Sequence, residues 1–178
     1  MSRHTIASIL LILAAGSAGV AAHAEDGCID FKWDVAGVRA LFAGTAQSLP
    51  AGAESKSAPM LQPNHLYALT LLPQDRVNFA TKPGARNVLS GAYAGLATFQ
   101  ITQPGNYRIS IDAPFWIDVV SDGALLPPKD FQGQHDCSAP HKIVEFELRG
   151  TRPYVLQLSN AISDQVRLTV TPVASRQF

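Results

Sequence analysis

The chain of 178 residues is predicted to be all-β: an antiparallel β-sandwich or jelly roll of about eight strands behind one N-terminal helix. Three observations carry this prediction. From His65 onward apolar residues recur at every second position, which is the period of a strand with one buried face. The alternating runs are short and are separated by Pro, Gly, Asn and Asp. No helical period lies between them, as a parallel α/β sheet would require.

Taken in order, residues 1–24 read as an export signal. Arg3 and His4 form a basic start, Ile6 to Val20 an apolar core, and Ala22-His23-Ala24 a small-x-small cleavage site. The apolar run is shorter than the roughly 20 residues that cross a bilayer, and Gly16, Ser17 and Gly19 interrupt it, so no membrane span is expected. Residues 25–43 form the helix segment. Asp30 is placed to cap it, Phe31, Val35, Val38, Leu41 and Phe42 make one apolar stripe, Trp33 lies off that stripe, and Gly44 ends it. Residues 44–63 are rich in Ala, Ser, Gly and Pro without a period of either kind, and are read as a flexible linker. Residues 64–178 are the sandwich domain.

Within that domain strands are expected over 65–72, 76–80, 96–102, 107–112, 115–121, 142–148, 154–159 and 165–171. Gln103-Pro104-Gly105-Asn106 is the strongest hairpin signal, and Asp122-Gly123 is a second turn. The inward sets include Tyr107, Ile109 and Ile111, then Val144, Phe146 and Leu148. Glu145 and Glu147 fall on the opposite, solvent-facing side of their strand.

Composition excludes some functions. The 14 Lys and Arg balance the 14 Asp and Glu, so no basic footprint for nucleic acid or an anionic membrane exists. Cys28 and Cys137 are the only cysteines. In an exported chain an isolated pair forms a disulfide, and Cys137 is then no nucleophile.

The densest group of reactive side chains lies in 131–148, where His135, His141, Glu145 and Glu147 follow one another. Two imidazoles and a carboxylate suit iron or zinc with open positions for substrate, so His135, His141 and Glu145 are the candidate metal ligands. The spacing loosely resembles the first metal motif of cupins. However, Cys137 stands where that motif has its second histidine, and no histidine follows His141. His65 is a possible third ligand only if the fold brings it close. The competing candidate is a ligand-binding face built on Trp116, Asp118 and Arg108, with Asp112 and Tyr93 beside them, able to stack a sugar ring or dock a peptide.

Residues 31–42, 93–120, 131–148 and 154–159 together resemble a group of small exported proteobacterial proteins of uncharacterised function, some of them labelled homogentisate 1,2-dioxygenase. The resemblance covers nearly all of the mature chain. Its label implies a non-haem iron enzyme using His135, His141 and Glu145. The pattern around Gly105-Asn106-Tyr107 and Ile117-Asp118-Val119 is also similar to β-sandwich domains appended to secreted peptidases, which implies an accessory or binding role.

The leading expectation is a periplasmic or secreted, disulfide-tied, non-enzymatic β-sandwich without a cofactor, binding an envelope protein, a glycan or a small ligand. The alternative is the iron- or zinc-dependent, dioxygenase-like enzyme.

Overall fold

The computed structural model describes residues 26–174. The export signal expected over 1–24, and residues 175–178, lie outside the described residues. A 3-10 turn (Asp26–Asp30) leads into helix α1 (Ala36–Phe42). The strands that follow are β1 (Gln47–Pro50), β2 (Met60–Leu61), β3 (Tyr67–Thr70), β4 (Leu72–Pro73), β5 (Tyr93–Phe99), β6 (Gly105–Ile111), β7 (Trp116–Ser121), β8 (Ala124–Leu125), β9 (Asp130–Gly133), β10 (Lys142–Leu148), β11 (Tyr154–Ala161) and β12 (Gln165–Pro172). They form two sheets. One runs β1-β3-β12-β6-β10-β9 and the other β2-β5-β11-β7-β8, with β4 also paired to β5. All-β sandwich architecture with one helix is thus the fold.

The period-two residues explain the core. Ile109, Ile111, Phe146, Leu168 and Val170 from the first sheet meet Phe99, Ile117, Val119, Leu156 and Leu158 from the second, all buried. Each large apolar side chain so buried contributes roughly 1.5–3 kcal/mol relative to exposure. Three tyrosines, the first residues of β3 and β11 and the third of β6, tie the preceding loop to their strands. Tyr67 Oη accepts from Gln62 N at 2.9 Å, Tyr107 Oη donates to Gln103 O at 2.9 Å, and Tyr154 Oη accepts from Gly150 N at 2.9 Å.

Several expectations change. The helix is shorter than the apolar stripe, because residues 30–32 are held along β9. Lys32 N donates to Gln132 Oε1, and Gln132 and Gln134 both donate to the Asp30 carbonyl. The N-cap position is therefore Val35, and Asp34 just before it accepts from Ala36 N through Oδ1 at 2.9 Å. Residues 44–63, read as a linker, supply β1 and β2, which pair in parallel with β3 and β5. This chain crosses from one sheet to the other against bare backbone. A Cβ on Gly95 would lie 2.5 Å from Ala51 Cβ, and one on Gly52 would lie 2.6 Å from Ala58 Cα.

Residues 76–80 are not a strand. After a 3-10 turn (Gln74–Arg76) they begin a long crossing segment. The turn at 103–106 is not a hairpin either, since β5 and β6 belong to opposite sheets and β6 pairs with β10 and β12. The turn is an arch between sheets, floored by buried Ile101. Asp122-Gly123 does close a hairpin. Both residues have positive φ, 52° and 76°, and Ser121 pairs with Ala124.

Both outer sheet faces are covered. On the first sheet, Cys28, Phe31 and Val35 pack with Cys137 and Ile143, and Trp33 joins them at the margin. On the second, residues 77–91 cross β11 and β7. Thr81 N donates to Gln157 Oε1, Gly84 N to Asp118 Oδ2, and Leu89 N to Asn160 Oδ1. The outward side chains Leu96, Gln157 and Asp118 are accordingly buried. Among the described residues no helix is long and apolar enough to cross a membrane.

Candidate functional site

Cys28 and Cys137 form a disulfide, which pins the N-terminal cover to the loop between β9 and β10. That loop brings His135 and His141 together, with ring centroids 5.7 Å apart and ring planes at 72°. Glu145 does not join them. It is buried, and its Oε2 accepts from Arg108 Nε at 2.9 Å beneath Trp33. The solvent-facing role expected for Glu145 is therefore corrected, because the N-terminal segment covers that face. Glu147, two residues on, is exposed and pairs with Arg149. His65 lies two residues before β3, with its Nδ1 3.0 Å from the Pro63 carbonyl. No group of three or more His, Cys, Asp or Glu that could hold a metal occurs among the described residues. The expected ligand set His135, His141 and Glu145 does not fit a facial iron or zinc centre, since its carboxylate is engaged by a guanidinium.

His141 is half-buried, and burial pushes its pKa below the usual 6.5; His135 and Lys142 push the same way, against a hydrogen bond to the Cys137 backbone and the charge of Asp112. Between the lowered folded value and 6.5 the unfolded chain binds more protons than the folded one, so stability declines as pH falls through that window. Thermal denaturation at steps from pH 7.5 to 5 should show a falling midpoint, flattened in His141→Gln. An equal slope in that variant would place the dependence on another group.

The expected binding face separates into two. Arg108, on β6, belongs to the first sheet. Its guanidinium lies 4.4 Å from the centroid of Trp33, with Lys32 Nζ at 4.8 Å from the same ring, so Arg108 fastens the N-terminal cover. Asp112 does similar work by accepting from Arg167 N and Nε, while Arg167 reaches the Phe42 carbonyl at the end of α1.

Trp116 and Asp118, on β7, lie on the outer face of the second sheet. Trp116 Nε1 donates to Asp118 Oδ1 at 2.9 Å, and the other carboxylate oxygen accepts from Gly84 N at 2.9 Å. Gly84 fits closely here, since a Cβ would lie 2.9 Å from Asp118 Oδ1 and 3.2 Å from Trp116 Nε1. Lys142 reaches across from β10, donating to Phe115 O at 2.7 Å with its Nζ 5.5 Å from the Trp116 centroid. Burial lowers its pKa, partly offset by Asp118. The indole is thus fixed along one edge and flanked by a cation, yet remains 39% exposed.

On the neighbouring strand, Ser159 of β11 is the register partner of Trp116. It belongs to the floor of a cleft bounded by the 74–76 turn and the 85–91 loop. Tyr93, expected on the Trp116 face, lines this cleft instead, half-buried against the core. Periodicity gave no hint of Ser159 or Asn160 as site residues. The available signal was the small polar run Ser159-Asn160 after four inward-outward alternations, where an Asn readily takes the left-handed conformation that ends the register.

No protein-family model matches the chain, and no curated protein matches it.

Proposed function

We propose that the protein is a non-enzymatic binding or accessory module of the periplasm or the cell exterior, presenting Trp116 as a stacking platform for an envelope glycan. The observation that carries this reading is the fixed, partly exposed indole. An aromatic face whose orientation is already set by Asp118, Gly84 and Lys142 loses little freedom when a sugar ring stacks on it. The groups that would otherwise suggest chemistry support the same reading through what they hold. Cys137 and the Arg108–Glu145 pair fasten one cover, and Asp118 fastens the other.

Co-sedimentation with purified peptidoglycan sacculi tests it. Wild-type protein should be retained, and Trp116→Ala should reduce the apparent affinity about tenfold, the scale of an aromatic anchor at the centre of a contact. Equal retention of the variant would remove Trp116 from the site, and no retention of either would remove the glycan.

One observation favours the metalloenzyme alternative, the adjacency of His135 and His141. Elemental analysis of untagged protein purified without chelator should find iron and zinc well below one per chain. Stoichiometric metal lost in His135→Ala and His141→Ala would overturn the non-enzymatic reading.

A further inference from the structure

We infer that the cleft beside Asn160 is a separate binding site, taking a small, uncharged, mainly apolar molecule with one hydrogen-bonding group. The cleft is organised by one side chain. The register of β11 with β5 shifts between Leu158 and Ala161, and Asn160 at that bulge has φ 57°. Its Nδ2 donates to Asn87 O at 2.5 Å, its Oδ1 accepts from Leu89 N at 3.2 Å, and its backbone N donates to Gln74 Oε1 at 2.7 Å. The two flanking loops are thereby tied to one strand, and the hollow between them holds its shape.

That hollow measures about 660 Å3, within the roughly 300–1,000 Å3 of small-molecule sites. Its walls include Phe79, Val88, Leu89 and Tyr93. Val88 is 76% exposed and Leu89 48%, so a ligand covering them removes apolar surface from water. Among the described residues the lining includes one carboxylate, Asp75, and no Lys, Arg or His. An anion entering would lose hydration without gaining a countercharge. A cation would meet only an exposed carboxylate, whose attraction is weak in water. Neutral molecules remain.

The hydrogen-bonding requirement comes from Ser159. It is 2% exposed, and its hydroxyl has no hydrogen-bond partner among the described residues. Buried hydroxyls are ordinarily paired. As it stands the hydroxyl has almost no accessible surface, so a ligand group seated on the cleft floor supplies the missing partner through a rotation of the Ser159 side chain toward the cleft it lines.

Two-dimensional 15N–1H NMR titration of the whole exported domain with phenol, toluene, benzoate and benzylamine tests the inference. Phenol should shift amides of 74–75, 88–93 and 158–161, and bind about two- to tenfold tighter than toluene, the worth of one net hydrogen bond. In Ser159→Ala that advantage should vanish while toluene binds as before, and the thermal midpoint should rise because a buried unpaired hydroxyl is gone. Ala85→Trp, a change in the loop wall, should abolish the shifts with the rest of the spectrum intact. Benzoate and benzylamine should bind at least about tenfold more weakly than phenol. Unmoved cleft amides with all four probes, tightest binding of benzoate or benzylamine, or a phenol advantage that survives Ser159→Ala would each overturn it. Sacculus binding would stand in every one of these cases, since Trp116 is not among the residues that line the cleft.

Discussion

Replacing Cys28 and Cys137 together with alanine should lower the thermal midpoint by roughly 10 °C or more, the largest effect expected of any change at the covers. The two residues are 109 positions apart, and cross-linking a loop of that length removes about 4–5 kcal/mol of unfolded-state freedom in the chain-entropy model. The folded state loses something as well. Cys137 is fully buried against Ile143, Phe31 and Val35, a small cluster separate from the main core. Without the bond this cluster must hold the N-terminal cover with the help of Lys32–Asp130, the bonds of Asp30 and Lys32 to Gln132 and Gln134, the Arg108–Trp33 stack and the Arg167 bond to the Phe42 carbonyl. Hydrogen exchange should accordingly quicken over residues 28–44 and 134–141 while β5 and β11 keep their protection. A midpoint within about 2 °C of wild type, or a uniform loss of protection, would show that the cover does not depend on the bond.

What was legible in the chain depended on whether a feature is local. The run Lys142 to Leu148 alternates from Val144 onward, and β10 has the bounds of the whole run. Its alternation also placed Glu145 on the outer face correctly. It could not show that the outer face is covered, because the cover comes from residues about a hundred positions earlier. Arg76 to Ala80 fails for the converse reason. It alternates like a strand, but strand structure needs a run of partner backbone, and this stretch instead leads onto the outer face of a sheet, with Asn78 N donating to Ala53 O and Thr81 N to the Gln157 side chain. The 103–106 turn was recognisable from Pro104 and Gly105, whereas the sheet to which each flanking strand belongs is decided by pairing with β10, β11 and β12 far downstream. Trp116 and Asp118 were legible as neighbours on one face. Their fixation by Gly84 was not, since it depends on where the crossing segment lies.

Glu145→Ala should cost roughly 3 kcal/mol of stability, read from chemical denaturation, because it strands a guanidinium that the cover keeps from water. The side chains of Arg108 and Glu145 are only 17% and 9% exposed, so water cannot replace the lost carboxylate as it would at the surface pair Arg149–Glu147, where loss of the pair should cost well under about 1 kcal/mol. The decisive comparison is the double variant Arg108→Met with Glu145→Leu. Removing both charges and keeping apolar volume under Trp33 should recover most of the loss, since paired buried charges are often no more stabilising than well-packed apolar residues. A surface-like cost for Glu145→Ala alone would contradict the burial of the pair. Failure of the double variant to recover would mean that the guanidinium's stacking on Trp33, at 4.4 Å from its centroid, matters more than the neutralisation. Recovery, measured on protein stripped of metal, would identify Glu145 as the counterion of Arg108 under the N-terminal cover. The carboxylate that the dioxygenase reading needs beside His135 and His141 would then have a structural duty that explains its burial.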